Sequence, residues 1–200
     1  MKNNKFYLSV LMLTFLILIC GVESMAQINS KPSGIKLEGS RMEIKTFLTE
    51  NDYEFSIIDT KKGPAYYVKD MWFQDILWDY VMVCFYESKC AAISFIKLAN
   101  DDLGKILIYG TYANVLGNIS DKYSKYIVEH KNNTDSSNDE LGLEYSDGTT
   151  TINLVHETPE EGDGKLMLTY SNNVLAKKLL YDSTNGYWKV INKLFKSCPW

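Results

Sequence analysis

Between residues 53 and 97 apolar side chains return at every second position, in the sets Phe55-Ile57, Tyr66-Val68, Val81-Val83-Phe85 and Ala91-Ile93-Phe95. This alternation constrains the fold more than any other feature, because side chains in a strand point to opposite faces in turn and only a sheet with one buried face asks for such a pattern. Lys61-Lys62-Gly63-Pro64 interrupts it as a turn, which predicts an antiparallel meander of four strands. The best-defined hairpin joins residues 79–87 to 90–97. In it Val81, Val83 and Phe85 share a face with Ala91, Ile93 and Phe95, and the opposite face carries Tyr80, Met82, Cys84 and Tyr86.

On either side the period lengthens to that of a helix. Residues 27–34 read as a loose polar arm and residues 35–38 as a short strand, after which Ser40 and Glu43 have the spacing of a capping box. That box opens a helix whose face holds Met42, Ile44, Phe47 and Leu48. Leu103, Ile106, Leu107, Tyr109, Tyr112, Val115, Leu116, Ile119 and Tyr123 belong to a second and longer helical pattern over 103–123, which persists through Gly104, Gly110 and Gly117. Residues 130–140, rich in Asn, Asp and Ser, read as a mobile loop. A second set of strands is expected at 141–145, 150–157 and 165–170, with Asp147-Gly148 as one turn, and short helices are expected within 174–195. The fold class that follows is α+β: an antiparallel sheet with helices packed on one face, in two α-then-β halves of about 35–100 and 101–200 within a single domain at 27–200.

The first 26 residues read differently. Lys2 and Lys5 precede an apolar run over 6–21 that is shorter than a bilayer span, and Ser24-Met25-Ala26 closes it with small residues. This is the order of a secretory signal peptide. It predicts a periplasmic or extracellular product that begins at Gln27 and has no membrane span once the leader is gone. Ile19 stands where a small residue would precede a lipidated Cys20, which favours a soluble product. Cys84, Cys90 and Cys198 then remain, an odd number in a compartment that permits disulfides. Cys84 faces Cys90 if the hairpin loop is 86–88, and faces Ala92 if the loop is 87–89; the residues alone permit both.

Composition narrows the function classes. With 46% hydrophobic and 23% charged residues the chain has the material for a core. Its 21 basic residues are outnumbered by 25 acidic ones, so no phosphate-neutralising surface for nucleic acid is expected.

Gly39-Ser40 at the capped helix, the phrase Tyr112-Ala113-Asn114-Val115-Leu116 leading to Asp121-Lys122-Tyr123, Asp147-Gly148-Thr149 and Leu166-Met167-Leu168-Thr169-Tyr170 together resemble a group of secreted bacterial proteins of uncharacterised function. Members of that group are similar in architecture to the beta-lactamase inhibitory protein. The resemblance implies helices over one face of a sheet whose other face is concave. It spans residues 35 to about 180 and carries no catalytic motif. Ser124 departs from the glycine expected after the Lys-Tyr pair.

A search for chemistry finds little. There is no Gly-x-Ser-x-Gly elbow, phosphate-binding glycine loop or Cys-x-x-Cys pair, and the two histidines, His130 and His156, stand in separate elements without ligand spacing. His156 reads as a partly exposed residue at the end of a strand. Glu157, Glu160, Glu161 and Asp163 lack the alternating spacing of a calcium loop and read as a solvated acidic turn. No enzyme activity, cofactor or metal is expected.

The aromatic supply is the positive signal. Tyr67, Trp72, Trp78, Tyr80, Tyr86 and Tyr145 fall in strands or turns, and such residues dominate recognition hot spots. Alternation gathers Tyr80, Met82 and Tyr86 on one face, with Trp78 joining if the strand extends back with the same parity. The expectation is a secreted, non-enzymatic binding module whose partner-binding residues are Tyr67, Trp78, Tyr80, Met82 and Tyr86. An unidentified protein or envelope component is the expected partner. The rival expectation is a small-ligand carrier or hydrolase whose site the sequence does not disclose.

Overall fold

The computed structural model describes residues 27–60, 63–135, 138–159 and 162–181; the leader at 1–26 and the tail from 182, with Cys198, lie outside them. Among the described residues there are eight strands: β1 (Phe55–Thr60), β2 (Gly63–Phe73), β3 (Ile76–Tyr86), β4 (Lys89–Ala99), β5 (Ile127–Asp135), β6 (Asn138–Ser146), β7 (Thr150–Pro159) and β8 (Gly164–Asn172). The helices are α1 (Arg41–Glu50), α2 (Asp102–Tyr123) and α3 (Asn173–Tyr181).

All eight strands join one antiparallel sheet in the order β1-β2-β3-β4-β8-β7-β6-β5. Each half is a helix followed by a four-stranded meander, and the last strands of the two meanders pair at the centre, Phe95 against Leu168 and Ile96 against Met167. The helix pattern over 103–123 explains how: α2 leaves β4 in the middle and carries the chain across the sheet, so that β5 starts at the far edge.

One face is covered by α1 and α2. Ile44 and Leu48 of α1 and Ile108, Tyr112, Val115, Ile119 and Tyr123 of α2 close over Val81, Val83, Phe85, Ile93, Phe95, Leu154, Leu168 and Tyr170 in one continuous core. Its aromatic centre is Phe95, stacked on Phe73 at 4.5 Å and edge-on to Tyr170 at 6.4 Å. Ser40 caps α1 as expected: its hydroxyl accepts from the Glu43 amide, and the Glu43 carboxylate accepts from the Ser40 amide at 2.6 Å. Those bonds hold the Glu43 carboxyl below its ordinary range.

Several local expectations are corrected. Residues 27–34 are not a loose arm: Ile28 and Pro32 are buried, and the Ile28 amide donates to Asp147 at 2.9 Å. Gly34 has φ +84 and lies under Phe47, whose ring would clash with a Cβ there. Residues 35–38 form no strand; the backbone instead exchanges bonds between Glu38, Gly39 and Cys90. Met42 points outward, not onto the core face expected for it, because a position two residues before Ile44 is about 200° round the helix. Within the expected loop at 130–140 lie the end of β5 and the start of β6, paired antiparallel; β5 is an edge strand, which has little call for an apolar pattern.

Candidate functional site

The sheet face away from α1 and α2 is where recognition residues were expected, and α3 covers its centre. Asn172, buried at the end of β8, accepts from the amides of Val174 and Leu175 at 3.1 and 2.9 Å and so caps α3. Its own amide group donates to Glu38 at 3.0 Å, while Asn173 accepts from Thr151 at 2.7 Å and donates to Ser146 at 3.2 Å. These bonds turn the chain back over β3, β4 and β8. Leu175 and Leu179 then pack with Ala65, Met82, Cys84, Ala91, Ala92, Ile96, Val155 and Met167 in a second, smaller core. Beneath it Ser94 and Thr169 share a hydrogen bond of 2.9 Å, which satisfies both buried hydroxyls at the central β4–β8 seam.

Of the five expected partner-binding residues, Trp78 and Met82 are therefore not surface. Met82 is buried beneath α3. Trp78 is 0% exposed in the core on the other face, with its ring 5.7 Å from Phe95 and its indole N–H donating to the Phe73 carbonyl at 3.2 Å. The parity argument fails between Trp78 and Val81, which are three residues apart yet share a core, as do their partners Met71 and Val68. Both strands thus place two successive residues, Lys69-Asp70 and Asp79-Tyr80, between core positions.

The local cause is visible in the two aspartates. Asp70 has φ +51, the left-handed region that an aspartate tolerates better than most residues. Asp79 accepts from the Leu98 amide at 2.8 Å and pairs with Lys97 at 3.4 Å, so its side chain replaces a ladder bond where β3 and β4 part.

The same switch turns Trp72 out. Met71 and Phe73 face the core, so Trp72 between them faces the α3 side, 61% exposed and paired across the hairpin with the exposed Leu77. Tyr67 and Tyr80, both half-buried, stack at 4.9 Å and 27° further along the same two strands. Tyr86 is half-buried, with the Lys178 ammonium of α3 5.8 Å from its ring centre. The aromatic set on this side is Tyr67, Trp72, Tyr80 and Tyr86. Trp72 was missed because its exposure depends on the parity switch. Aspartates in the middle of two strands, where that residue is disfavoured, were the available signal.

The remaining candidates lie in settings other than those expected. Cys84 pairs with Ala92, but Phe85 pairs with Cys90 and Tyr86 with Lys89, so the loop is Glu87-Ser88 and a bulge stands at Ala91. Both loop residues have positive φ, 49 and 79. The bulge puts Cys90 in the α1–α2 core and Ala91 in the α3 core, contrary to strict alternation, and leaves Cys84 and Cys90 unbridged on opposite faces. Burial pushes the Cys90 thiol far above its ordinary range, away from the reactive thiolate. Glu157 forms an ion pair with Lys165 at 2.9 Å instead of a solvated turn, and Glu160 and Glu161 lie outside the described residues.

His156 is not a partly exposed strand end. It is buried within β7 against both Tyr109 and Tyr112 of α2, at 5.6 and 5.4 Å ring to ring, and neither ring nitrogen has a hydrogen-bond partner. Burial lowers its pKa from the ordinary 6.5, although nearby Glu157 acts the other way. The His130 side chain lies outside what is described. Among the described residues no three His, Cys, Asp or Glu gather to hold a metal ion, and no helix is long and apolar enough to cross a membrane.

No protein-family model, curated protein or solved structure matches this chain.

Proposed function

We propose that the chain is a secreted, non-enzymatic binding module that offers the aromatic flank of its sheet, beside α3, to a protein or cell-envelope ligand. The observation that carries this reading is Trp72, a large ring 61% exposed next to the exposed Leu77 and on the same side as the Tyr67–Tyr80 stack. Exposed aromatic and aliphatic side chains gathered on a rigid strand pair suit recognition, since aromatic anchors bury much area at little cost in conformational entropy. The settings of Cys90 and His156 support a non-enzymatic role, because each is buried and burial disfavours the thiolate of the one and the imidazolium of the other. Secretion rests on the leader pattern of residues 1–26.

The test is capture of envelope and culture proteins from the producing cells on immobilised protein, repeated with Trp72→Ala and Tyr80→Ala. A ligand held by the parent and released by both variants, with unchanged melting, is expected. A ligand retained by both variants would remove the flank from the binding site.

A further inference from the structure

Removal of the leader after Ser24-Met25-Ala26 makes Gln27 the amino terminus. A glutamine inside a chain holds its side-chain amide beside a peptide nitrogen, which is no nucleophile; at the first position that nitrogen is an amine. Gln27 is exposed, whereas the next residue is fixed: Ile28 belongs to the core, and its amide donates to Asp147 Oδ2 at 2.9 Å. Beyond it the Asn29 amide donates to the Tyr123 hydroxyl at 3.3 Å, the Leu37 amide to the Ser30 carbonyl at 2.8 Å and the Ser33 hydroxyl to the Trp72 carbonyl at 2.9 Å. Residues 28–37 thus form a strap fastened to both halves, with Gln27 as its solvent-facing end.

A free carboxylate close to the new amine would hold it as an ammonium and quench it as a nucleophile. Asp147 stands at this end of the strap, but both its oxygens are engaged by backbone donors. Oδ2 accepts from Ile28, and Oδ1 accepts from the Thr149 and Thr150 amides at 2.9 and 2.7 Å. An α-amine ordinarily titrates at about 7.7–8.0, so near neutral pH a share of it is the uncharged nucleophile.

We propose that Gln27 is a modification site, which closes into a pyroglutamyl lactam once residues 1–26 are removed. The α-amine nitrogen attacks Cδ of its own side chain. The N–Cδ bond forms, the Cδ–Nε2 bond breaks, and the side-chain nitrogen leaves as ammonia with the proton that the amine gives up. No oxidant, reductant or second substrate enters, and proximity favours ring closure within one residue. The peptide bond to Ile28 is untouched, so the Ile28 amide keeps its bond to Asp147. The lactam removes the amine that an aminopeptidase grips, one residue before a side chain of the core. The site rests on the reading of residues 1–26 as a removable leader.

The intact mass of the protein secreted by cells that make the full chain, together with stepwise degradation from its amino end, tests this. The expected product is residues 27–200 lighter by one ammonia and refractory to degradation. Gln27→Ser should give the full mass of its residues 27–200 and a free amine, and an aminopeptidase should remove its first residue while leaving the parent intact. A parent that starts at Gln27 with its full mass and a free amine overturns the lactam and leaves the leader reading standing. A parent that starts elsewhere overturns both. Gln27→Ser protein as resistant to the aminopeptidase as the parent overturns the protective role.

Discussion

The two faces of the sheet are closed in different ways. On one, α1 and α2 precede their meanders and lie over strands drawn from both halves, so their side chains join a core that runs from Phe55 on the first edge to Tyr145 in the second meander. On the other, the nine-residue α3 follows β8 and rests on the middle of the sheet, where Leu175 and Leu179 among its described side chains reach the core, tied at its start by Asn172 and Asn173. A helix placed between the strands of a fold is required for the chain to complete its sheet. One that follows β8 adds cover to a sheet that already exists, and among the described residues its hold comes from a cap and from Leu175 and Leu179.

The sharpest test of this difference is Phe95→Ala, at the aromatic centre of the α1–α2 side. It is expected to cost about 3–5 kcal/mol, the range for emptying a large buried ring, as read by denaturant unfolding. Leu179→Ala on the α3 side should cost about 2 kcal/mol, the low end for a buried leucine, because the helix end can settle into the space. Equal losses would break the comparison and make the two cores one cooperative body of equal weight.

Next comes the cap. Asn172→Ala removes an acceptor for two α3 amides and should lower stability by about 1 kcal/mol. Hydrogen exchange should show the loss confined to α3. Faster exchange throughout α2 as well would mean that the faces are coupled more tightly than their packing implies.

The smallest effect belongs to His156, beneath α2. Its pKa is lowered in the folded state, so below about 6.5 the unfolded chain takes up the proton more readily. The stability that neutral His156 contributes is present above that value and is lost as pH falls through it toward the lower folded pKa. His156→Phe should flatten the acid limb of stability measured on either side of 6.5, where Asn172→Ala should not. An acid limb unchanged by His156→Phe would assign it to other groups.

Much of the fold was legible because its strongest signals are local. Ser40 and Glu43 announce a helix start through bonds within three residues, and Val81, Val83, Phe85, Ile93 and Phe95 alternate because each strand segment is straight over that length. The β5–β6 pairing was hidden, since an edge strand such as β5 has little call for an apolar pattern. The candidate site was only half legible. Tyr67, Tyr80 and Tyr86 stand on the expected side, while Trp78 and Trp72 exchanged roles at Asp70 and Asp79, and Met82 went beneath α3.

The amino-acid sequence by itself determined the helix-then-strand plan of each half, the cap of α1 and the core side of Val81, Val83, Phe85, Ile93 and Phe95, because period and capping act over a few neighbouring residues. Only the tertiary structure decided which tryptophan is buried, on which side Cys90 lies and what covers the second face. Those outcomes turn on a left-handed Asp70, a bulge at Ala91 and the contacts of Asn172 with Glu38, 134 residues away. A bulge or a long-range bond exists only between partners, and the side-chain direction of every residue beyond it follows from that pairing.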